Sequence, residues 1–347
     1  MTEGTICPGP RNALTDVAGL TVGQAEDHDR VTGVTVVLSP EGPAMAAAVV
    51  GGGGAATRGV SSLTLGGTVE RLDGIALSGG SAFGLDAAGG VMDRLRGRGT
   101  GFSMGPAKVP MVAGAIIFDL LTGTADDPTG WHTPPWFDLG RAAVDDAGTE
   151  ITLGNAGAGL GATAGPIKGG TGTASAVAPD GSTVAALAIV NPVGRVTMPN
   201  SRAFWAHPWE IAGEYGAVPP PAAPAEDGLT DFPFEAYDTG QNTTLAVVAT
   251  DLALDRSALA RVATMAQDGL GRAIRPVHSP LDGDTVFALA TGRRPLDNPL
   301  AQTGRTGMLA ADCLARAIAR GVYAAEGLAG IPAWRDLDDR GQVIAGR

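Results

Sequence analysis

The chain is poor in the features that mark secreted, membrane-spanning and disulfide-stabilised proteins. It has only two cysteines among 347 residues, and the isolated Cys7 and Cys313 make no disulfide framework. Its first residues lack the basic-then-apolar pattern of a signal peptide, and no apolar run of about 18 residues occurs. Two isolated cysteines suit a reducing compartment. These absences predict a soluble, cytoplasmic protein.

Basic clusters and metal-ligand clusters are missing as well. The formal net charge is −12 and there is no block of Lys or Arg, so nucleic acid and anionic membranes are poor partners. None of the four histidines stands at metal-ligand spacing from another histidine or a cysteine. The glycine-rich stretches match neither the dinucleotide-binding fingerprint nor a P-loop. We therefore predict that the protein needs no metal and no other cofactor.

Glycine, by contrast, is abundant. The chain has 53 glycines, and many stand in blocks such as 51–54 and 154–172. Glycine lets the backbone come close to another segment or to a ligand. The blocks therefore mark either tight turns beside an active site or close packing between layers. Hydrophobic residues make up 44% of the chain, enough for a substantial core in one large domain or two modest ones.

Apolar runs with strand character alternate with helical periodicities. Strands are predicted at 31–38, 45–50, 75–77, 173–177, 183–190, 243–251 and 286–290. Helices are predicted from an N-cap at Ser81 through Leu95, and at 140–147, 255–274 and 306–322. The junction at 78–81 can bind an anion at the helix start. Residues 109–121 fit a strand or a buried helix, and 134–136 fit a loop. The alternation predicts a layered α/β core.

One predicted strand has an unusual start. A linker rich in Pro, Gly and acidic residues, 216–240, leads through Gln241 and Asn242 to Thr243 and then to an apolar, β-branched run. The hydroxyl of Thr243 can attack the carbonyl of Asn242, and hydrolysis of the resulting ester frees Thr243 as a new N-terminus. Its α-amine can then act as the base for its own hydroxyl. The alternative is an ordinary strand with a polar first residue.

Acidic and amide side chains near strand ends are further candidates. Asp282 and Asp284 bracket a glycine, and residues two apart in an extended chain point the same way, so repulsion raises the pKa of one carboxyl. They form a catalytic pair, a calcium loop whose twelve-residue pattern is missing, or a solvated turn. Asn191, which precedes Pro192, is an oxyanion donor or part of an Asx turn. Asp119, inside an apolar run, is a partnered structural residue or a site residue.

Several collinear motifs resemble the P1 (DmpA-like) peptidase family of self-cleaving N-terminal-nucleophile hydrolases. Besides the stretch 242–251, they are VAGLTVG at 17–23, LSGGSAFGLDAA at 77–88, KGGTGTAS at 168–175, NPVG at 191–194 and DGDTVF at 282–287. The resemblance implies a four-layer α-β-β-α sandwich like that of amino-terminal nucleophile hydrolases, with different connectivity. It also implies cleavage into fragments 1–242 and 243–347, which together form one structural domain, and a homotetramer of these cleaved heterodimers.

The resemblance assigns catalytic roles to four residues. Thr243 attacks the substrate carbonyl, and Asn191 stabilises the oxyanion. Asp282 and Asp284 hold the α-amine of the nucleophile and manage its proton. The nylon-oligomer endohydrolase of the family carries a similar acid pair, whereas the aminopeptidase members have Ser at the first acid. The pair therefore points to the endohydrolase branch.

The sequence departs from the endohydrolase at two positions. Pro166 stands where the endohydrolase has Lys, and Lys168, two residues on, is the candidate to supply the missing ammonium. Phe118 stands where the endohydrolase has Tyr, and a phenyl ring cannot donate a hydrogen bond. Phe118, Trp205 and Trp209 are candidates to bind substrate, although the two tryptophans suit an oligomer contact equally.

These features predict an amide hydrolase acting on linear aliphatic amides such as 6-aminohexanoate oligomers. An aminopeptidase of the L-aminopeptidase/D-esterase or β-peptidyl type is the main alternative. An acyltransferase like the ornithine acetyltransferases would differ only in its acceptor, an amine in place of water. A binding protein that is never cleaved is the non-enzymatic alternative.

Overall fold

The computed structural model describes residues 6–123, 129–130, 132–222 and 242–344 of the chain. Within them lie four α-helices, which are α1 Ala87–Gly97, α2 Trp136–Asp146, α3 Arg256–Ala273 and α4 Pro299–Ala324. The same residues form fifteen strands, which are β1 Thr21–Asp27, β2 Thr32–Leu38, β3 Ala44–Val50, β4 Thr57–Arg58, β5 Arg71–Leu72, β6 Gly74–Ser78, β7 Phe102–Met104, β8 Ala107–Val109, β9 Val112–Ile116, β10 Thr163–Ala164, β11 Ile167–Lys168, β12 Gly170–Val177, β13 Thr183–Asn191, β14 Thr243–Leu252 and β15 Thr285–Arg294.

Two large sheets dominate the fold. The first has the order β12-β13-β14-β15-β3-β5, and the second has the order β1-β2-β6-β9-β4. In each sheet one neighbouring pair is parallel, β14 with β15 and β6 with β9, and the other pairs are antiparallel. Two short hairpins, β7-β8 and β10-β11, lie outside these sheets.

Three hydrophobic cores show how the layers stack. Helices α3 and α4 pack on the first sheet, α1 and α2 pack on the second, and the third core lies between the two sheets. Strand β14 contributes to two of them because its side chains alternate between faces. Leu245 and Val247 point into the space between the sheets, while Ala246 and Val248 face the helices. The layer order is therefore α-β-β-α, as predicted.

Most predicted elements are confirmed, and the strands agree best. Every predicted strand overlaps an observed one, and the ambiguous segment 109–121 contains strand β9. The predicted helix at 306–322 is longer, because Pro299 occupies its first turn and Asn298 caps it by accepting from the Ala301 N–H at 3.2 Å. Residues 223–240 of the predicted linker lie outside the described residues.

Two local predictions are wrong. Ser81 is not an N-cap; it begins a 3₁₀ turn, with a φ of 53°, that precedes α1. Its N–H bonds to the Ile117 carbonyl oxygen at 3.0 Å, so the neighbouring strand end, rather than helix capping, sets its backbone. Trp136 is not in a loop; it starts α2 and is buried, with its indole N–H donating to the Thr32 hydroxyl at 3.3 Å. Pro135 stands at the helix start with helical dihedral angles, where a proline costs no intrahelical hydrogen bond.

No helix among the described residues is long and apolar enough to cross a lipid bilayer.

Candidate active site

The N-terminal end of β14 brings the Thr243 hydroxyl against the backbone that precedes it. Thr243 is 4% exposed and, like Leu245, its side chain faces the space between the sheets. Its hydroxyl donates to the carbonyl oxygen of the preceding residue, Asn242, at 2.6 Å. The same oxygen accepts the Gly283 N–H at 3.0 Å. The hydroxyl therefore lies against the carbonyl group it would attack, and that carbonyl is polarised by a backbone donor.

Gly283 has to be a glycine for this arrangement to exist. A Cβ at this position would lie 2.4 Å from the Thr243 hydroxyl oxygen and 3.2 Å from the Cα of Ala55. At the residue between the two aspartates, the backbone thus comes close to the Thr243 hydroxyl. The carboxamide of Asn242 is anchored too, since it donates to the Pro192 carbonyl oxygen at 2.8 Å.

Asp282 is completely buried beside Asp284. Its carboxyl accepts the Val193 N–H at 3.1 Å and the Ser279 hydroxyl at 3.0 Å. Burial, with the charge of Asp284 as the second cause, raises the pKa of Asp282 to about 6. This is the raised pKa that the spacing predicts for one member of the pair. A solvated turn is excluded, because both carboxyls are at most 1% exposed.

Asp284 is held from two sides. One carboxyl oxygen accepts the Thr244 N–H at 2.9 Å, next to the nucleophile. The other accepts the backbone N–H of His278 at 3.0 Å and lies 2.9 Å from the ring Nδ1 of the same residue. The sequence gives no periodic signal for this contact, because an irregular loop joins His278 to Asp284.

The glycine block 51–54 makes room for this loop. A Cβ on Gly51 would lie 2.7 Å from His278 Nδ1, and one on Gly52 would lie 2.1 Å from the Asp282 carbonyl oxygen. One on Gly53 would lie 2.7 Å from the Pro280 carbonyl oxygen. For this block, the structure favours close approach beside the candidate site over loose packing between layers.

Asn191 is the register partner of Thr243 on β13 and lies on the same face. It is 1% exposed, its Oδ1 accepts the Thr163 N–H at 2.8 Å, and its Nδ2 donates to the Phe118 carbonyl oxygen at 3.2 Å. Phe118 itself is partly buried and follows the end of β9, in the second sheet. The amide therefore ties the two sheets together beside the nucleophile, with one of its two Nδ2 hydrogens used for this purpose.

Lys168 contacts the loop whose Thr163 N–H bonds to Asn191. Its buried ammonium donates to the carbonyl oxygens of Leu160 and Ala162 at 2.7 and 2.6 Å. Burial lowers the pKa of Lys168 to about 8, an effect that the charge of Asp119 opposes. These contacts fix the loop that presents the Thr163 N–H to Asn191. In the described structure, Lys168 is therefore linked to Thr243 only indirectly, through the loop at 160–163 and then Asn191.

Asp119 is a partnered residue, as one of the two interpretations predicted. Its carboxyl accepts the Gly80 N–H and the Thr32 hydroxyl, both at 2.7 Å. Burial raises the pKa of Asp119 to about 6. The anion that the 78–81 junction binds in the described structure is therefore a side chain of the protein itself.

The two candidate tryptophans lie against arginines. The guanidinium of Arg275 stands over the Trp205 ring at 5.6 Å, and that of Arg272, on α3, stands over the Trp209 ring at 5.1 Å. Arg272 also pairs with Asp312 of α4 at 2.6 Å. Trp209 therefore lies on the helix layer, and Trp205 lies nearer the loop that carries His278. A role for either in binding substrate stays a prediction.

No group of three or more His, Cys, Asp and Glu side chains in the described part of the chain is arranged to hold a metal ion.

This site can now be compared with those of known proteins. The model of Peptidase family S58 matches residues 12–333, nearly the whole chain. The chain belongs to peptidase family S58. This confirms the resemblance to the DmpA-like family. The S58 chain is therefore a hydrolase of the peptidase class.

Individual relatives of this S58 peptidase carry two kinds of name. An uncharacterized aminopeptidase of Mycobacterium tuberculosis (strain ATCC 25618 / H37Rv) is 43% identical over 345 residues, which cover 94% of this chain and 98% of the relative. A 6-aminohexanoate-oligomer endohydrolase of Paenarthrobacter ureafaciens is 29% identical over 309 residues, which cover 86% of this chain and 80% of the relative.

A solved structure supports the fold. The L-aminopeptidase D-Ala-esterase/amidase of Ochrobactrum anthropi, described as a variant of the Ntn hydrolase fold, aligns with a TM-score of 0.65. The identity is 23%, and the alignment covers 93% of this chain and 89% of that one. The S58 peptidase thus has the Ntn hydrolase fold, as the α-β-β-α layering predicts.

The raised pKa of Asp282 predicts a pH-dependent stability. Folding favours the protonated carboxyl, so the cost of ionising it is absent below the ordinary value of 3.8, grows as the pH rises, and is complete above about 6. Asp282→Asn keeps the shape without the charge. In a Thr243→Ala background, which keeps one covalent chain, the Asn variant should gain stability relative to its parent between pH 4 and 6.

Urea denaturation at several pH values measures this difference. The matched control is Asp29→Asn, at an exposed position, which should show no such slope. A difference for Asp282→Asn that stays constant with pH would contradict the raised pKa.

Proposed function

We propose that this S58 peptidase cuts itself between Asn242 and Thr243 and then uses Thr243 as the N-terminal nucleophile of an aminopeptidase. One observation carries the proposal. The Asn242 carbonyl oxygen receives both the Thr243 hydroxyl at 2.6 Å and the Gly283 N–H at 3.0 Å. A nucleophile in contact with a polarised carbonyl is the geometry of an intramolecular acyl shift.

The self-cleavage step balances without an added reactant other than water. The Thr243 oxygen attacks the carbonyl carbon of Asn242, and negative charge gathers on the oxygen that faces the Gly283 N–H. The C–N bond then breaks, and the hydroxyl proton ends on the departing nitrogen. Water hydrolyses the ester and leaves a carboxylate on Asn242 and a free amine on Thr243.

The same groups serve the mature enzyme. When the Asn242 carboxylate leaves, the Gly283 N–H becomes available to the carbonyl oxygen of a substrate. The α-amine of Thr243 takes the hydroxyl proton, and its ordinary pKa of about 7.7–8.0 suits a base near neutral pH. The remaining Nδ2 hydrogen of Asn191 is a second candidate donor. The buried carboxyls of Asp282 and Asp284 keep the end of β14 in place.

The two fragments would stay together after the cut. Strand β14 lies between β13 of the first fragment and β15 of the second, so one sheet contains both. Arg316 of α4 forms a two-point ion pair with Glu214, with N–O distances of 2.6 and 3.0 Å. Both side chains are largely buried, which limits competition from water.

The aminopeptidase mode is favoured by the relatives and by two residues of the chain. The 43% identical relative, matched over nearly its whole length, is named an aminopeptidase. Phe118 and Pro166 also lack the polar groups of the endohydrolase.

Endohydrolysis of 6-aminohexanoate oligomers is the second candidate. The 29% identical relative carries that name, and the Asp282–Asp284 pair resembles the pair of the endohydrolase. A polymethylene substrate offers few polar handles, so its binding would depend on apolar burial worth about 0.8 kcal/mol per CH₂. Longer oligomers would then be turned over better than short ones.

Thr243 variants test the cut itself. The unsubstituted chain should give fragments 1–242 and 243–347 on denaturing gels, with Thr at the new N-terminus by mass spectrometry. Thr243→Ala should stay intact and inactive because no hydroxyl remains. Thr243→Ser, which keeps a hydroxyl, should still cleave. A fully active chain that remains uncut would sink the proposal.

Gly283→Ala tests the geometry around the scissile carbonyl. The added methyl would displace the Thr243 hydroxyl, so self-cleavage should slow by about 10²-fold, as expected for a misplacement on the order of 1 Å. The rate is followed by the loss of intact chain over time. Gly304→Ala is the control, because Gly304 is an exposed residue of α4 with nothing within 4 Å of the added methyl. Equal cleavage rates in both variants would contradict the assignment.

A pair of substrates separates the two modes. An aminopeptidase should release aniline from L-alanyl or β-alanyl anilide and leave N-acetylated 6-aminohexanoate oligomers untouched, since it requires a free amine. Both substrates are followed by chromatography, with free oligomers and the Thr243→Ala chain as controls. Cleavage of the blocked oligomers would instead establish the endohydrolase mode.

A further inference from the structure

His278 lies in the loop between α3 and β15, in an unusual conformation. Its φ is 57°, in the left-handed region that residues other than glycine rarely adopt. The start of this loop is pinned by two backbone hydrogen bonds between Arg195 and Arg275, at 2.8 and 3.0 Å. Such a backbone persists only where the surroundings hold it.

The left-handed turn lets both the backbone N–H and the ring of His278 contact one carboxyl oxygen of Asp284. The backbone N–H of His278 donates to Asp284 Oδ2 at 3.0 Å, and the ring Nδ1 lies 2.9 Å from the same atom. A carboxylate only accepts, so the ring proton belongs on Nδ1. The other oxygen of Asp284 accepts the Thr244 N–H at 2.9 Å. A continuous chain of contacts thus runs from the imidazole to the residue after Thr243.

The ring also connects a buried group with solvent. The Asp284 side chain is 1% exposed, whereas that of His278 is 28% exposed. Gly51 leaves space for the ring, and the buried Oε1 of Gln267, which has no hydrogen-bond partner, lies at the same spot. Around the ring, α3 presents this neutral amide, and the glycines at 51–54 bring no charge.

Among the described residues, the ring contacts the carboxyl of Asp284, and Asp282 lies beside that carboxyl. Arg275 stands at the start of the same loop, and cleavage would add the α-amine of Thr243. The ring therefore lies on the solvent side of the buried carboxyl pair.

We propose that His278 is a positioning residue of the mature enzyme, which holds the Asp284 carboxyl oriented toward the strand end that carries the nucleophile. This rests on the proposed role of Thr243. The ring Nδ1 is one of three contacts that fix this carboxyl. A donor to a carboxyl oxygen favours the charged form, so loss of the ring should move the acid limb of the pH profile upward.

Two variants separate this role from simple packing. In His278→Asn, the amide Nδ2 stands where the ring Nδ1 stood, and Asn tolerates the left-handed backbone. In His278→Gly, the backbone is relaxed but the side-chain donor is gone. Both are prepared as the full-length chain, and fragment masses and melting temperatures are recorded before the pH profiles of kcat and KM.

We expect the variant without a side-chain donor to lose kcat, and the variant that keeps one to recover it. For His278→Gly, kcat should fall by about tenfold or more at pH 6 with little change in KM, and the acid limb should move up by roughly one pH unit. His278→Asn should recover most of kcat and a limb near that of the unsubstituted enzyme. If His278→Gly does not mature, the self-cleavage rates of the two variants are compared, and the Asn variant should be faster.

Two results would overturn the proposal. A folded His278→Gly enzyme with the unsubstituted kcat and pH profile, or a folded Asn variant that recovers nothing over Gly, refutes the positioning role. The proposed function fails separately, if the unsubstituted chain is uncut or if Thr243→Ala is active.

Discussion

Much of the structure around the candidate site depends on two hydrogen bonds that converge on the carbonyl oxygen of Asn242. One comes from the Thr243 hydroxyl and the other from the Gly283 N–H. The second bond forms only because the 278–284 loop comes within contact distance of the residues at the start of β14. Much of the surrounding structure serves that approach, including the glycine block at 51–54, the glycine between the aspartates, and the Pro192 carbonyl oxygen that holds the Asn242 side chain.

Buried charge is the cost of this arrangement, and hydrogen bonds offset it. An ionised carboxylate in a dry interior is strongly unfavourable unless several donors surround it. Asp284 has three such contacts, and Asp282 has two and a raised pKa. The hydrogen bonds therefore keep both carboxyls in fixed positions beside the start of β14.

The layers explain why the site lies where it does. Strand β14 pairs with a neighbour on each edge and is covered by helices on one face and by the second sheet on the other. Its first residue is therefore fixed by packing from several sides. The second sheet reaches the same point through the Phe118 carbonyl oxygen and Asn191, so both sheets contribute to the position of Thr243.

The sequence by itself determined what depends on local pattern. The apolar, β-branched run after Thr243 predicts its strand, the spacing of Asp282 and Asp284 predicts one raised pKa, and the order of strands and helices predicts a layered α/β core. Tertiary structure decided what depends on contacts between distant segments. His278 meets Asp284 through an irregular loop, Lys168 turns toward carbonyl oxygens rather than toward Thr243, and Ser81 follows a neighbouring strand instead of capping a helix. Periodicity carries the short-range signal of a regular element, whereas a loop held by long-range hydrogen bonds has no period to read.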